Sequence, residues 1–211
     1  MRRHVAAVAL LLACVACVGD RGPNEVPFLD GADPTVTPPA TPGAVGPVLA
    51  IGDSIMVGAD EHGHLGAILA LDGWELETIA ERGRSTRWAV DEIEDREERV
   101  PRFVVVVLGT NPGFSAFGFA EDVEELRAAL IERGARRILW IPPHHPDPER
   151  YAEKLEVLAA ADRAEGRMVV APWGAVLDAH PEWVVGDGLH LTEDGYAALA
   201  AFIADWLARL L

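Results

Sequence analysis

The chain has 211 residues, 50% hydrophobic and 25% charged, which makes room for one well-buried core and too little for two comfortable domains. A formal net charge of −16 excludes polyanionic partners, so nucleic acid and electrostatic docking on anionic lipid are set aside. There are no internal repeats, and beyond the N-terminus no apolar run is long enough to span a bilayer.

Met1-Arg2-Arg3-His4 is a basic start, and Val5 to Ala16 is an apolar run of mostly Ala, Val and Leu. Together, over residues 1–17, they read as a secretory signal too short for a comfortable membrane helix. Leu11-Leu12-Ala13-Cys14 resembles a lipobox, and Cys14-Val15-Ala16-Cys17 follows a better-sized apolar run. Which of Cys14 and Cys17 would carry the lipid stays open. Both cysteines lie in this segment, so the remainder has neither disulfide nor thiol chemistry. Residues 18–46 form a Pro/Thr-rich stretch without periodicity, expected to be a disordered tether. The expectation is an exported protein, anchored by lipid in the cell envelope or else secreted, with its folded domain at 47–211.

Within that domain, Val48-Leu49-Ala50-Ile51 is a short uncharged run that reads as a buried parallel strand. It meets Gly52-Asp53-Ser54, which places Ser54 at the strand's carboxyl end and at a helix N-terminus. A helix is expected over His62–Leu71 and a strand over Trp74–Ala80. A charged helix should then run to about Glu98. Phe103 to Leu108 is β-branched almost throughout and is the clearest buried strand. A helix over Ala120–Arg133, a strand over Arg137–Ile141, a helix over Pro148–Glu165 and a strand over Met168–Ala171 follow. A longer loop then leads to a last helix from Thr192, a suitable N-cap with Glu193 and Asp194 in its first turn.

Strands alternating with helices predict an α/β fold, a five-stranded parallel sheet covered on both faces. Ligands of such sheets bind beyond the strands' carboxyl ends. Ser54 follows the first strand, Gly83 the second, Asn111 the third, and Asp187 and His190 the fifth. In Asp187-Gly188-Leu189-His190 a carboxylate precedes an imidazole by three residues. It can fix the ring's tautomer and leave the other nitrogen free as a base for Ser54. Gly-x-Ser-x-Gly is absent, which argues against the α/β-hydrolase elbow. Candidate oxyanion donors are the Ser54 N–H, the Gly83 N–H and the Asn111 amide.

These blocks, Gly52-Asp53-Ser54, Gly83, Gly109-Thr110-Asn111 and Asp187-Gly188-Leu189-His190, resemble those of the SGNH/GDSL hydrolase family, in its order and loop positions. The resemblance runs from about Val48 to the C-terminus. It implies a three-layer flavodoxin-like sheet, with Ser54 as nucleophile, His190 as base, Asp187 as its orienter, and an oxyanion hole from Ser54, Gly83 and Asn111. Pro112 stands where the family often has Asp, and it favours an extended backbone at Asn111. The stretch His180-Pro181-Glu182-Trp183 to Gly195-Tyr196 resembles cell-envelope O-acyltransferases. The expected activity is therefore serine-dependent cleavage of small-molecule or glycan acyl esters, without cofactor or metal. The alternatives are an O-acetyltransferase acting on exported glycan and a catalytically silent glycan-binding domain.

Other polar residues have plainer readings. Asp53 should brace the turn. His144-His145 lacks a third ligand at metal spacing and reads as cleft lining or solvated loop. His62, His64, Arg84 and Arg87 read as surface, and Trp140 and Trp173 fit the core or the cleft wall equally.

Overall fold

A computed structural model describes residues 43–111 and 116–211. The expected export segment with Cys14 and Cys17, the tether up to residue 42, and Pro112 lie outside the described residues.

Five parallel strands form one sheet in the order β2-β1-β3-β4-β5, the flavodoxin-like order anticipated above. They are β1 (Gly46–Gly52), β2 (Trp74–Ala80), β3 (Phe103–Val107), β4 (Arg137–Ile141) and β5 (Met168–Val170). The helices are α1 (Ser54–Glu61), α2 (Leu65–Leu71), α3 (Thr86–Asp95), α4 (Ala116–Arg133), α5 (Ala152–Glu165), α6 (Trp173–Ala179) and α7 (Glu193–Leu210). Val45 N–H already donates to Gly73 O, so the chain joins the domain just before β1.

Alternation along each strand explains the layers, because successive side chains point to opposite faces. Val48 and Ala50 of β1 join Val105, Val107, Leu139 and Ile141 in a core shared with α1, α2, α6 and α7. Leu49 and Ile51 join Val104, Val106, Ile138 and Trp140 in a second core under α3, α4 and α5. Covered on both faces, β1 and β3 need apolar residues at every position rather than at alternate ones. Each large side chain buried this way contributes about 1.5–3 kcal/mol.

Local chemistry sets the helix starts. Asp53 Oδ1 accepts from Ile55 N at α1, Ser85 Oγ from Trp88 N at α3, and Thr192 Oγ1 from Gly195 N at α7. Several expectations shift. α4 begins at Ala116, a turn before the expected Ala120, and α3 ends at Asp95 rather than near Glu98. The helix expected over 62–71 begins only at Leu65: Gly63 lies so close to the Tyr196 carbonyl that a Cβ would sit 2.3 Å from its oxygen, and His64 adopts φ +55°. The helix expected over 148–165 divides into a 3₁₀ turn at Pro148–Arg150 and α5. The loop expected after β5 contains α6, seven residues bounded by Pro172 and His180, too short for a periodic signal.

Candidate active site

Ser54, Gly83, Asn111, Asp187 and His190 all lie beyond the carboxyl ends of the strands. The order of the sheet reverses between β1 and β3, and Ser54 and Asn111 follow those two strands. A crevice opens at such a switch point because adjacent crossovers run to opposite faces.

Ser54 is the first residue of α1 and buried. Its N–H is among the first four of the helix, which have no intrahelical acceptor, and the positive end of the dipole favours charge there. Its hydroxyl is 3.0 Å from His190 Nε2, and His190 Nδ1 is 2.7 Å from Asp187 Oδ2. With Asp187 accepting at Nδ1, the neutral ring carries its proton on that nitrogen. Nε2 is then the acceptor for the Ser54 O–H.

The segment carrying Asp187 and His190 folds back on itself. Val184 and Leu191 form an antiparallel bridge, and Val185 N–H donates to His190 O at 2.9 Å. Gly188 N–H closes the turn on Val185 O, and Gly188 has φ +73°, where a Cβ would meet His145 Nε2 at 2.8 Å. Only glycine satisfies both demands. Asp187 Oδ1 accepts from Leu189 N and His190 N, each at 2.9 Å. The imidazole hydrogen bond, aided by these backbone donors, holds the Asp187 carboxyl down at about 2. It is ionised wherever the protein is folded near neutral pH.

Asp53 behaves oppositely. It is fully buried, and burial raises its carboxyl from 3.8 to about 6, against the hydrogen bonds from Ile55, Thr110 and Asn111. Asn111 Nδ2 donates to Asp53 Oδ2 at 3.2 Å and to Arg84 O at 3.0 Å. The loops after β1, β2 and β3 are thereby tied at one amide, and both of its hydrogens are engaged. Gly83 lies exposed in the loop after β2 with φ +80°.

Two residues that sequence reasoning passed over complete the arrangement. Lys154 Nζ donates to Gly109 O at 2.7 Å and to Asn111 O at 3.2 Å. Tyr151 Oη donates to Thr110 O at 3.0 Å. Both come from the start of α5, and a lone Lys in a helix carries no signal of such a partner. Burial lowers the Lys154 ammonium, with Asp53 opposing the shift.

The remaining candidates divide. Trp140 is fully buried and donates to Leu108 O, so it belongs to the core, and Trp173 is buried at the cleft. Arg84 and Arg87 pair with Glu81 and with Asp91 and Glu125 respectively. His62 and His64 are exposed. His144 and His145 line the cleft, and burial lowers the His144 ring despite Asp178. Among the described residues no cluster of three His, Cys, Asp or Glu is set to hold a metal ion.

Known proteins share this architecture. A possible lipase from Chitinophaga pinensis DSM 2588 superposes with TM-score 0.54 at 18% identity, over 78% of this chain and 98% of its own. The psychrotrophic esterase EstA from Pseudoalteromonas sp. superposes with TM-score 0.62 at 15% identity, over 78% of this chain and 97% of its own. A two-domain esterase active on acetylated mannans gives TM-score 0.53 at 14% identity, over 77% of this chain and 49% of its own. At these identities the likeness is one of fold. No curated protein matches the chain. Residues 50–198, however, match the model of the GDSL-like lipase/acylhydrolase family, a span that holds every residue of the Ser54–His190–Asp187 relay. The chain belongs to that family and is an ester-hydrolysing enzyme.

Proposed function

We propose that the protein cleaves carboxylic esters through an acyl-enzyme on Ser54, with His190 as general base and acid and Asp187 as its orienter. The hydrogen-bonded relay of 3.0 and 2.7 Å from Ser54 through His190 to Asp187 carries this reading. Ser54 Oγ attacks the ester carbonyl carbon while His190 Nε2 takes its proton. The carbonyl oxygen becomes an oxyanion, for which the N–H groups of Ser54 and Gly83 are the donors, together with Asn111. Each donor of this kind is worth roughly 3 kcal/mol in the transition state. To contribute, the Asn111 amide must release Asp53 or Arg84. The C–O bond to the alcohol then breaks, and the imidazolium returns its proton to the departing oxygen. Water repeats the sequence on the acyl-serine, with His190 again the base, and the carboxylate leaves.

A glycan hydroxyl in place of that water would make the same enzyme an O-acetyltransferase. The half-exposed His190 and Asp187 side chains favour water as the acceptor. The basic and apolar start of the chain and its Pro/Thr-rich continuation support export to the cell envelope, with a lipid on Cys14 or Cys17. The substrate would then be an acyl ester met outside the cytoplasm.

Hydrolysis of p-nitrophenyl acetate by the protein and by Ser54→Ala tests the reading. The expected loss is on the order of 10⁴-fold or more in kcat. Equal turnover by the two proteins sinks it.

A further inference from the structure

The reaction at Ser54 leaves the His144-His145 pair beyond β4 without a role, yet the second of these rings lies against the turn that carries the base. A Cβ built on Gly188 would stand 2.8 Å from His145 Nε2, 3.2 Å from His145 Cδ2 and 3.3 Å from Pro146 Cδ. The space that a side chain would fill between Asp187 and His190 is taken by the edge of one ring and a corner of another. Atoms packed this closely transmit a displacement rather than absorb it. The hydrogen bonds of the turn, on Val185 O and on Asp187 Oδ1, join residues of the same segment. They give the turn its shape, but both partners travel with it, so they do not set its distance from Ser54.

His145 is held independently of that turn. Its Nδ1 accepts from Asp147 N–H at 2.9 Å, so the neutral ring carries its proton on Nε2, on the edge towards Gly188. Asp147 is itself fixed, its side chain accepting from Glu149 N–H at the start of the 3₁₀ turn. The His145 ring also stands edge-to-face to Tyr151, with 6.4 Å between centroids and 82° between planes. Tyr151 is buried and donates to Thr110 O at 3.0 Å. A line of contacts therefore runs from Thr110 through Tyr151 and His145 to Gly188. It joins the loop after β3 to the turn that carries Asp187 and His190.

We infer that His145 is a positioning residue for the catalytic base, its ring edge backing Gly188 and holding the Asp187–His190 pair within reach of Ser54. This rests on Ser54, His190 and Asp187 forming the catalytic relay. His190 moves a proton in both acylation and deacylation, so a displaced turn slows whichever step is limiting, and the loss falls on kcat. His145 also lines the cleft, which makes contact with substrate its rival role and one that would fall on KM.

The test measures kcat and KM for p-nitrophenyl acetate on the full chain, with Ser54→Ala alongside. His145→Ala should lower kcat about tenfold or more, as misplacement of a reacting group by a fraction of an ångström does. KM should stay within about twofold. His145→Gln, whose amide reaches the place of Nε2, should recover part of kcat. His145→Asn, which keeps an acceptor for Asp147 N–H but stops short of Gly188, should not. If His145→Ala fails to fold, the contrast between Gln and Asn decides. Gly188→Ala should cost a smaller factor in the His145→Ala background than in the native chain, because the 2.8 Å clash is then gone and only the strain of a positive φ remains. Native kcat in His145→Ala, a change confined to KM, recovery by Asn equal to that by Gln, or equal factors for Gly188→Ala in both backgrounds each overturn the inference. An inactive Ser54→Ala leaves the serine mechanism standing in all of these cases. Turnover that survives in Ser54→Ala removes the relay and the inference with it.

Discussion

The side-chain amide of Asn111 donates to Asp53 Oδ2 at 3.2 Å across the switch point, joining the loop after β3 to the cap of the helix that begins at Ser54. The acceptor is a carboxyl that burial has raised from 3.8 to about 6. In the unfolded chain the same group loses its proton near pH 4. Below pH 4 both states are protonated and folding bears no penalty. Between about 4 and 6 the unfolded state is charged while the folded state resists. Above 6 the full penalty is present, about 3 kcal/mol. The stability of the native protein minus that of Asp53→Asn should therefore fall as pH rises from 4 to 6, measured by urea unfolding. A pH-independent difference would show that Asp53 titrates normally.

Lys154 bears on the same loop from the other side. Its ammonium bridges Gly109 O and Asn111 O, so it fixes the backbone from which the Asn111 side chain projects. It is a positioning residue rather than a catalytic one. Lys154→Met should cost about 1–3 kcal/mol of stability, because charged hydrogen bonds to half-buried carbonyls are lost. It should also lower kcat about tenfold while KM stays within about twofold, since a misplaced oxyanion donor is felt in the transition state. Lys154→Arg should recover part of kcat. A change confined to KM would assign Lys154 to substrate binding instead.

Gly58 and Gly66 should respond oppositely to alanine. A Cβ at Gly58 would stand 2.2 Å from the Tyr196 ring, so α1 and α7 cannot keep their spacing. Overpacking of this kind costs about 1–3 kcal/mol, or roughly 2–10 °C in Tm for a chain of this size. Activity should fall with it, since Ser54 begins α1 and His190 lies just before α7. At Gly66, inside α2, the nearest atoms are 3.6 Å away, which is ordinary contact. Gly66→Ala should stabilise by about 0.5–1 kcal/mol through helix propensity. Calorimetry on both variants separates steric from entropic glycine; an undiminished Tm for Gly58→Ala would refute the close packing of α1 on α7.

Much of this molecule is written in short stretches of chain, and for a physical reason. Contacts between residues a few positions apart follow from local geometry alone. The Asp187 and His190 spacing, the caps at Thr192 and Asp53, and the alternation that buries both faces of β1 and β3 are of this kind. They sufficed for the α/β class and for the edge of the sheet where the polar residues gather. The tertiary structure decided what no spacing encodes. Ser54 and His190 are 136 residues apart, and they meet only because β1 lies inside the sheet, next to the switch point, and the segment between Val184 and Leu191 folds back. Asn111 divides its amide between Asp53 and Arg84 because three loops converge there. Lys154 reaches Gly109 from a helix whose sequence looks like any charged surface. Ile141, Trp173 and Leu177 come together around Ile55, the residue after Ser54, and packing is a property of the assembled layers rather than of any one segment.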